Sequence, residues 1–405
     1  MVERKEYLDQ LWMWKDEQQI KVVTGIRRCG KSVLLEQYQQ RLLEDGVTPQ
    51  QIISINFENL DYEHLKDYRA LYTYLKERLC PDKMTYIFLD EIQEVQHFEK
   101  VVDSLYIRED VDIYITGSNA YMLSGELATL LSGRYIEIKM LPLSFREYTV
   151  VTGLSKEEAF AEFMKTGGIP YVAVMNRTDE KVDQYLEGIY NTVIIKDIEQ
   201  RQARREITGD RRKITDITLL KTVARYLASV LGSPVSIKSI TNYLISSGRK
   251  VSQNTVNDYV EALTESFIFY PVERFDIVGK QLLKTNNKFY MVDMGIRNHI
   301  LPRKQYDLGF TIENIVYLEL ERRGNKVHIG KYGSTEVDFV TQKEGVLTYY
   351  QVTADMTAEE TFEREMRPLR NIQDNYEKIV LTLDRFSTGN YEGIKVVNVI
   401  DWLLE

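Results

Sequence analysis

Short apolar runs alternate with stretches of helical periodicity along the first 150 residues of the chain. The first run, Ile20–Thr24, is β-branched and predicts a buried strand, and the apolar spacing over residues 33–43 predicts a helix that ends before Gly46. Strands separated by helices predict an α/β fold with a parallel sheet. The other predicted strands cover residues 52–57, 86–89, 111–116 and 135–140, with a further helical stretch at 120–131.

The pattern is mainly helical from residue 156 to about 266, and strands return after it. Ser236 and Ser252 are placed to cap two of these helices. Three helices followed by a β-ribbon are typical of a winged helix-turn-helix. The predicted elements of this part are helices over 219–231, 237–245 and 255–266 and strands over 267–272 and 288–292.

The composition of the 405 residues excludes several classes of protein. With 43% hydrophobic and 28% charged residues, the chain is too apolar for a disordered protein. No apolar run approaches the ~20 residues that span a bilayer, and the N-terminus lacks a signal-type apolar segment, so we expect a cytoplasmic protein without a membrane partner. Two cysteines and four histidines without a cluster argue against a disulfide framework or a transition-metal site.

A complete P-loop pattern, G-x-x-x-x-G-K-S, follows the first predicted strand and precedes the first predicted helix. Glycines let backbone N–H groups turn toward a phosphate, and the helix N-terminus adds a partial positive charge. We expect Lys31 to neutralise the β- and γ-phosphates and the Ser32 hydroxyl to bind Mg²⁺; a chance glycine loop is the alternative. The predicted ATP-binding residues are Gly25, Ile26, Arg27, Arg28, Cys29, Gly30, Lys31, Ser32, Val33 and Ser118.

An acidic pair, Asp90 and Glu91, ends the predicted strand at 86–89. Asp90 fits a Walker B position that supports Mg²⁺, together with Ser32, and Glu91 is then placed to polarise the attacking water. A chance acidic pair at a strand end is the alternative. The position after a P-loop and an intervening strand favours the catalytic interpretation.

Two further positions are candidates for catalysis. Ser118 and Asn119 follow the strand at 111–116 and resemble the sensor-1 position of AAA+-type ATPases, where they would reach the γ-phosphate or the water. Arg134 lies between the helical stretch and the fifth strand, the place of an AAA+ arginine finger that serves a neighbouring subunit. A structural ion pair explains Arg134 equally well.

Five segments together resemble the prokaryotic AAA+-like ATPases whose C-terminal part is the DUF4143 region, and the resemblance spans essentially the whole chain. It implies ATP binding and hydrolysis, without a settled cellular role. The segments are Gly25-Ile-Arg-Arg-Cys-Gly-Lys-Ser, Phe88-Leu-Asp-Glu-Ile-Gln93, Thr116-Gly-Ser-Asn119, Leu131-Ser-Gly-Arg-Tyr135 and Leu141-Pro-Leu-Ser-Phe-Arg-Glu147.

Four regions are expected from the pattern and the resemblance. The helical lid is expected to cover the nucleotide; Arg177 is its candidate second sensor by residue type only. Its basic segment 196–213 carries a local charge of +3, which we interpret as solvated helix surface rather than a phosphate-binding site. The regions are a P-loop ATPase core at 1–150, the lid at 151–214, a winged-helix domain at 215–300 and a restriction-endonuclease-like domain at 301–405.

DNA binding is weakly supported. The net charge of −9 repels polyanions, and the predicted recognition helix carries Asp258, Glu261 and Glu265 but no basic residue. We therefore favour a protein contact or scaffold role for the winged helix.

The C-terminal region resembles a restriction-endonuclease core, with Glu313 on a helix and Asp338 on a strand. Such nucleases carry Glu-x-Lys on the next strand. Here the triplet is Gln351-Val-Thr353, so one anionic ligand and the cationic partner are missing. Glu336 is a further helper, and a cation from another element, such as Arg364 or Arg367, is the route to rescue. We expect this domain not to cleave.

The sequence thus predicts an ATP-binding protein and Mg-dependent ATP hydrolase that acts as a nucleotide-driven conformational switch. It assembles into a homo-oligomer if Arg134 acts in trans, and its further partner is a protein of unknown identity. Two alternatives stay open: an ATP-gated binding module with negligible turnover, and an ATP-controlled nuclease.

Overall fold

The computed structural model of the chain describes residues 2–117, 131, 133–193, 214, 216–301 and 308–405. These residues form two compact units, one within 2–142 and the other from residue 143 onward. The predicted helical stretch at 120–131 and the basic segment 196–213 lie outside the described residues, apart from Leu131.

The first unit contains a parallel sheet of five strands in the order β2-β3-β4-β1-β5. All five predicted strands are confirmed, because β-branched and aromatic runs bury both faces of a parallel sheet. The strands are β1 Ile20–Thr24, β2 Ile52–Asn56, β3 Thr85–Asp90, β4 Val111–Thr116 and β5 Tyr135–Lys139. The described helices are α1 Lys5–Met13, α2 Lys31–Glu44, α3 Tyr68–Lys76 and α4 Phe98–Tyr106.

Parallel pairing places the ends of β1, β3 and β4 at one edge of this sheet. Val23 pairs with Thr116, and Leu89 pairs with Ile115, so the residues that follow these strands are neighbours. Loops at the carboxyl edge of a parallel α/β sheet are the usual place for a ligand. This edge is where the P-loop and the acidic pair meet.

The second unit begins with helices and continues into one large mixed sheet. The cap predictions are confirmed, since the hydroxyls of Ser236 and Ser252 accept the N–H of Ser239 and Thr255. The helices are α5 Phe145–Thr152, α6 Lys156–Thr166, α7 Pro170–Val174, α8 Asp179–Asn191, α9 Ile217–Ser229, α10 Ile237–Ser246, α11 Gln253–Glu265, α12 Met294–Ile300, α13 Leu308–Arg322, α14 Glu359–Asn371 and α15 Val399–Leu404.

Eight strands form the sheet of the second unit, in the order β12-β13-β11-β10-β9-β8-β6-β7. Both sequence patterns contribute to it, because the ribbon expected as a wing pairs through β6 with β8 of the C-terminal region. The ribbon is therefore continuous with that sheet. The strands are β6 Phe269–Asp276, β7 Gln281–Met291, β8 Lys326–Tyr332, β9 Thr335–Lys343, β10 Val346–Thr353, β11 Glu377–Thr382, β12 Gly389–Tyr391 and β13 Ile394–Asn398.

The expected lid segment packs against α12 of the second unit. Both carboxylate oxygens of buried Asp293 accept N–H groups, one from Gly168 at 2.6 Å and one from Ile296 at 3.0 Å. A side chain on Gly167 would collide with this carboxylate. The Gly-Gly-Ile-Pro interruption at 167–170 is thus explained by a local joint.

Candidate active site

The P-loop leaves β1 and winds tightly into α2. Gly25 lies against the main chain, because a Cβ atom there would be 2.2 Å from the carbonyl oxygen of Met140. Arg28 and Gly30 adopt left-handed backbone angles, with φ of 67° and 103°. Gly30 is also the N-cap of α2, so the helix N-terminus opens directly onto the loop.

Lys31 is 5% exposed, and its ammonium lies inside the loop. Its Nζ donates to the carbonyl oxygens of Gly25 at 3.0 Å and Ile26 at 3.2 Å. These two hydrogen-bond partners are neutral, and the charge of Lys31 also interacts with the carboxylate of Asp90. This is the arrangement expected of a cation that meets an incoming phosphate.

Arg4 holds the loop from behind, a role that the sequence pattern did not reveal. Its guanidinium is 2% exposed and donates to the carbonyl oxygens of Cys29 at 3.1 Å and Leu141 at 2.8 Å. The sequence does not indicate this role, since Arg4 lies outside every motif that we identified.

Asp90 lies at the centre of the carboxyl edge. The Ser32 hydroxyl lies close to this carboxylate, so the P-loop serine and the strand-terminal aspartate are neighbours, and their binding of Mg²⁺ stays a prediction. Thr116 Oγ1 donates to Asp90 Oδ1, and Asn56 Nδ2 donates to Oδ2 at 2.8 Å. Burial raises the pKa of Asp90, while the hydrogen bond from Thr116 and the nearby hydroxyl of Ser32 oppose that rise.

Glu91 is buried beside Asp90, with a left-handed φ of 56°. Its backbone N–H donates to Thr116 Oγ1 at 3.0 Å, and its Oε2 accepts a hydrogen bond from the Gln93 amide. Thr116 therefore contacts both members of the acidic pair. The sequence pattern led us to the residues after Thr116 and not to Thr116, Asn56 and Gln93 themselves. Their positions at or just beyond the ends of predicted strands could have identified them as candidates.

The remaining P-loop residues differ in their surroundings. Arg27 forms an ion pair with Glu58 at 3.5 Å, and Cys29 is fully buried. Val33 lies in the first turn of α2. Ser118 and Asn119 lie outside the described residues, so their sensor role stays a prediction.

Arg134 directly precedes β5 and lies at the amino edge of the sheet, away from the P-loop of its own chain. Its Nη1 is 3.7 Å from Asp103 Oδ1, and its guanidinium lies over the Tyr106 ring. The side chain is 43% exposed. The ion pair is present, and a contact with a neighbouring subunit stays a prediction.

Arg177, the candidate second sensor, donates to the hydroxyl of Tyr148 at 2.6 Å and lies 3.9 Å from Glu162. These contacts are all within the second unit. Its sensor role stays a prediction.

The C-terminal candidates come together only in part. Asp338 Oδ2 accepts the N–H of Val352 at 2.8 Å, and Gln351 Nε2 donates to Glu365 at 3.1 Å. Thr353 donates to a backbone carbonyl, and Arg364 pairs with Glu365 at 2.9 Å. Among the described residues, no three ligand-type side chains converge as a metal ion requires.

Family models match two parts of the chain. An AAA domain matches residues 17–149, and a domain of unknown function, DUF8612, matches residues 157–307. The second match differs from the DUF4143 region expected from the sequence.

None of the helices in the described part of the chain combines the length and apolar character that crossing a membrane requires.

Two solved structures show partial similarity. The Walker-type ATPase PABY2304 of Pyrococcus abyssi has a TM-score of 0.47 at 15% identity, covering 74% of this chain and 96% of that one. The Orc1 protein of Aeropyrum pernix, solved in complex with DNA, has a TM-score of 0.31 at 14% identity, covering 74% and 92%.

Two relatives match over nearly the whole length. An uncharacterized protein of Methanocaldococcus jannaschii, MJ1544, is 28% identical over 94% of this chain and 85% of its own length. An uncharacterized protein of Haemophilus influenzae is 38% identical over 100% of this chain and 99% of its own length. The chain belongs to the family of this Haemophilus protein, and it carries an AAA domain with the P-loop ATPase fold.

Proposed function

We propose that the protein is a Mg²⁺-dependent ATP hydrolase that works as a nucleotide-driven switch. The observation that carries this proposal is the meeting of the P-loop with the strand-terminal Asp90 at the carboxyl edge of the sheet. The Lys31 ammonium lies inside the loop, and the Ser32 hydroxyl lies close to the Asp90 carboxylate. An AAA domain over residues 17–149 supports it.

Each side chain has a distinct part in this proposal. ATP phosphates replace the two loop carbonyls as partners of Lys31, and the N-terminus of α2 adds backbone donors. Ser32 and Asp90 have the hydroxyl and carboxylate oxygens that Mg²⁺ prefers, and the bound ion would neutralise charge on the β- and γ-phosphates. Glu91 acts as the general base, which accepts a proton from the attacking water next to the metal site.

Three groups, two of them buried, keep these residues in place. Arg4 ties the P-loop backbone at Cys29 to the segment after β5. Thr116 and Asn56 fix the two oxygens of Asp90. We infer that they are positioning residues, since they form hydrogen bonds with protein groups of the site.

The finer parts of the proposal concern assembly and motion. Ser118 and Asn119 sense the γ-phosphate, and Arg134 completes the site of a neighbouring subunit in a homo-oligomer. Hydrolysis changes the relative stability of two conformations because ATP and ADP bind them differently. The proposal also includes three regions beyond the ATPase core: a lid at 151–214, a winged helix at 215–300 and a tail at 301–405 without nuclease activity. It further includes the resemblance to the DUF4143 proteins and a cytoplasmic location.

The first experiment measures Mg-ATP hydrolysis with and without duplex DNA, with Glu91→Gln as the blank and Glu94→Gln as a matched control nearby. We expect a Glu91-dependent rate that DNA leaves unchanged, which directs attention to a protein partner. Stimulation by DNA would reverse our interpretation of the acidic helix α11. A rate that persists in Glu91→Gln would refute the catalytic assignment.

One contact favours a second candidate, an ATP-gated binding module with negligible turnover. The Gln93 amide donates to Glu91 Oε2, so the proposed base is held by a neighbour. This alternative expects tight ATP binding and little change in turnover in Glu91→Gln. A large loss of turnover in that variant excludes it.

A further inference from the structure

The peptide group between Cys29 and Gly30 in the P-loop has a side-chain partner on its carbonyl side. The Cys29 carbonyl oxygen accepts a hydrogen bond from Arg4 Nη1 at 3.1 Å. The N–H of the same planar group belongs to Gly30 and points the opposite way. N–H groups of a P-loop are the ones that turn toward a phosphate. A phosphate at this N–H would therefore bind one side of a peptide group whose other side is held by Arg4.

The second nitrogen of the Arg4 guanidinium holds the segment through which the chain leaves the ATPase unit. We call residues 140–142 the exit segment, because the second unit begins directly after them. Arg4 Nη2 donates to the carbonyl oxygens of Leu141 at 2.8 Å and Pro142 at 3.4 Å. The Tyr7 hydroxyl accepts the N–H of Leu141 at 3.0 Å. Arg4 and Tyr7 are each 2% exposed, so water competes little for these hydrogen bonds.

The exit segment is also tied to the backbone at both of its ends. Met140 donates its N–H to the carbonyl oxygen of Thr24 at 2.8 Å, directly before the P-loop. Beyond the segment, Leu143 donates its N–H to the carbonyl oxygen of Gly168 at 2.8 Å. A Cβ atom on Gly168 would be 2.5 Å from the Leu143 carbonyl oxygen, so this joint has little room. A shift of the exit segment is thus passed to the joint by the next residue along the chain.

Arginine is suited to joining the loop and the exit segment. Its guanidinium carries five N–H donors in a rigid planar fork, so one side chain can bind two chain segments in a fixed geometry. Hydrogen bonds at the two ends of one peptide group also strengthen each other. A phosphate that accepts the Gly30 N–H would therefore strengthen the bond between Cys29 and Arg4, and an empty loop would leave it weaker.

We propose that Arg4 couples nucleotide occupancy of the P-loop to the exit segment, so that bound nucleotide holds residues 140–142 and the joint at Gly168 more firmly than an empty loop does. This inference rests on the proposed function, because it requires a nucleotide in the loop. It goes beyond the positioning role of Arg4 in catalysis. That role needs only the bond to Cys29, whereas coupling also needs the bonds to the exit segment.

The test is hydrogen exchange of the full chain in the presence of Mg²⁺ and the slowly hydrolysed analogue ATPγS. Residues 25–33 report occupancy of the loop, and the amides of Leu141 and Leu143 report the exit segment. In the unchanged chain, saturating ATPγS should slow exchange at both places, by roughly 5–150-fold at the exit segment, the usual size of coupling between two sites. In Arg4→Gln, saturating ATPγS should still protect the loop, but Leu141 and Leu143 should no longer respond. A merely structural role of Arg4 would lower stability and leave that response in place.

Tyr7→Phe is the second variant, in case Arg4→Gln does not fold. It keeps the ring and removes the hydroxyl that accepts the Leu141 N–H, away from the P-loop. The affinity for ATPγS should stay unchanged while the response at Leu141 shrinks. Arg41→Gln is the matched control, because Arg41 joins α2 to α1 through Asp9 at 2.8 Å without contacting the exit segment. Its response should equal that of the unchanged chain.

The outcomes separate this inference from the proposed function. Protection of residues 25–33 without any response at the exit segment of the unchanged chain would overturn the inference and leave nucleotide binding in place. A full response in a folded Arg4→Gln, or in Tyr7→Phe, would also overturn it. No protection of residues 25–33 at saturating ATPγS would overturn the proposed function and this inference with it.

Discussion

Two of the three buried lysines in the described part of the chain, Lys31 and Lys288, have different partners. The difference separates a site that can bind an anion from one whose positive charge is already paired. Lys31 donates to two backbone carbonyls of the P-loop, whereas Lys288 is paired with two glutamates. Both are at most 5% exposed, so burial alone does not distinguish them. Lys31, whose hydrogen-bond partners are backbone carbonyls, can still bind a phosphate through its positive charge. Lys288 cannot, because its charge is already paired with carboxylates.

The two aspartates beside these lysines extend the comparison. Asp90 accepts hydrogen bonds from the hydroxyl of Thr116 and from the amide of Asn56, and the Ser32 hydroxyl lies close by. The carboxylate of Asp338 instead accepts a backbone N–H. Side-chain oxygens converge near Asp90, and this suits a hydrated magnesium ion better than a main-chain partner does.

The largest expected effect comes from removing each of the two lysines in turn. Lys31→Ala should lower ATP turnover by roughly 10²–10³-fold, because it removes the charge that stabilises the phosphates. Lys288→Ala should leave turnover per folded molecule unchanged and reduce stability by ~3–5 kcal/mol, because it leaves buried carboxylates unpaired. Turnover and urea unfolding of both variants decide this, and a turnover loss confined to Lys288→Ala would contradict the comparison.

A second, smaller effect concerns the pH dependence of stability. Burial raises the pKa of Asp338, so the folded state keeps a proton that the unfolded state releases. The contribution of Asp338 to the free energy of unfolding therefore falls as the pH rises from about 4 toward 8. Asp338→Asn mimics the protonated group. Relative to the unchanged chain, the variant should gain up to ~1.4 kcal/mol per pH unit between pH 6 and 8 and level off above. Urea unfolding at several pH values measures this, and parallel curves would refute it.

The sequence predicted those features that depend on neighbours along the chain. The P-loop, the five strands of the first sheet and the caps at Ser236 and Ser252 follow from local spacing, and the structure has them. The meeting of Asp90 with Ser32 was predictable too, since parallel strands bring their ends together.

Features made by distant segments were not predictable in the same way. Asn56 reaches Asp90 across 34 residues, and Lys288 reaches Glu313 across 25. Arg4 bonds to Leu141, 137 residues away. A lone polar residue in an apolar strand has no spacing signal for its partner, so only the packed sheet identifies it. The pairing of β6 with β8 escaped prediction for the same reason.

A third effect tests whether Thr116 positions the magnesium site. Thr116→Val keeps the shape of a buried strand residue and removes the hydroxyl shared by Asp90 and Glu91. We expect roughly a tenfold loss of turnover, the size of one hydrogen bond to a charged group. Thr85→Val is the control, because Thr85 is equally buried at the other end of β3. Equal losses in both variants would indicate a general packing defect.

The smallest expected effect is one of rate and concerns Cys29 in the wall of the P-loop. Its thiol is fully buried against Gly25, while Cys80 is half-buried, so an alkylating reagent should modify Cys80 first and leave ATP binding unchanged. Slow modification of Cys29 should then block ATP binding, because the added group fills the loop that Lys31 occupies.

Mass spectrometry gives the extent of modification at each cysteine while ATP binding is followed in parallel. ATP should protect Cys29 and not Cys80, since nucleotide holds the loop closed. Undiminished ATP binding after full modification of Cys29 would show that the loop has room to spare, which would weaken the view that its tight winding directs the Lys31 charge.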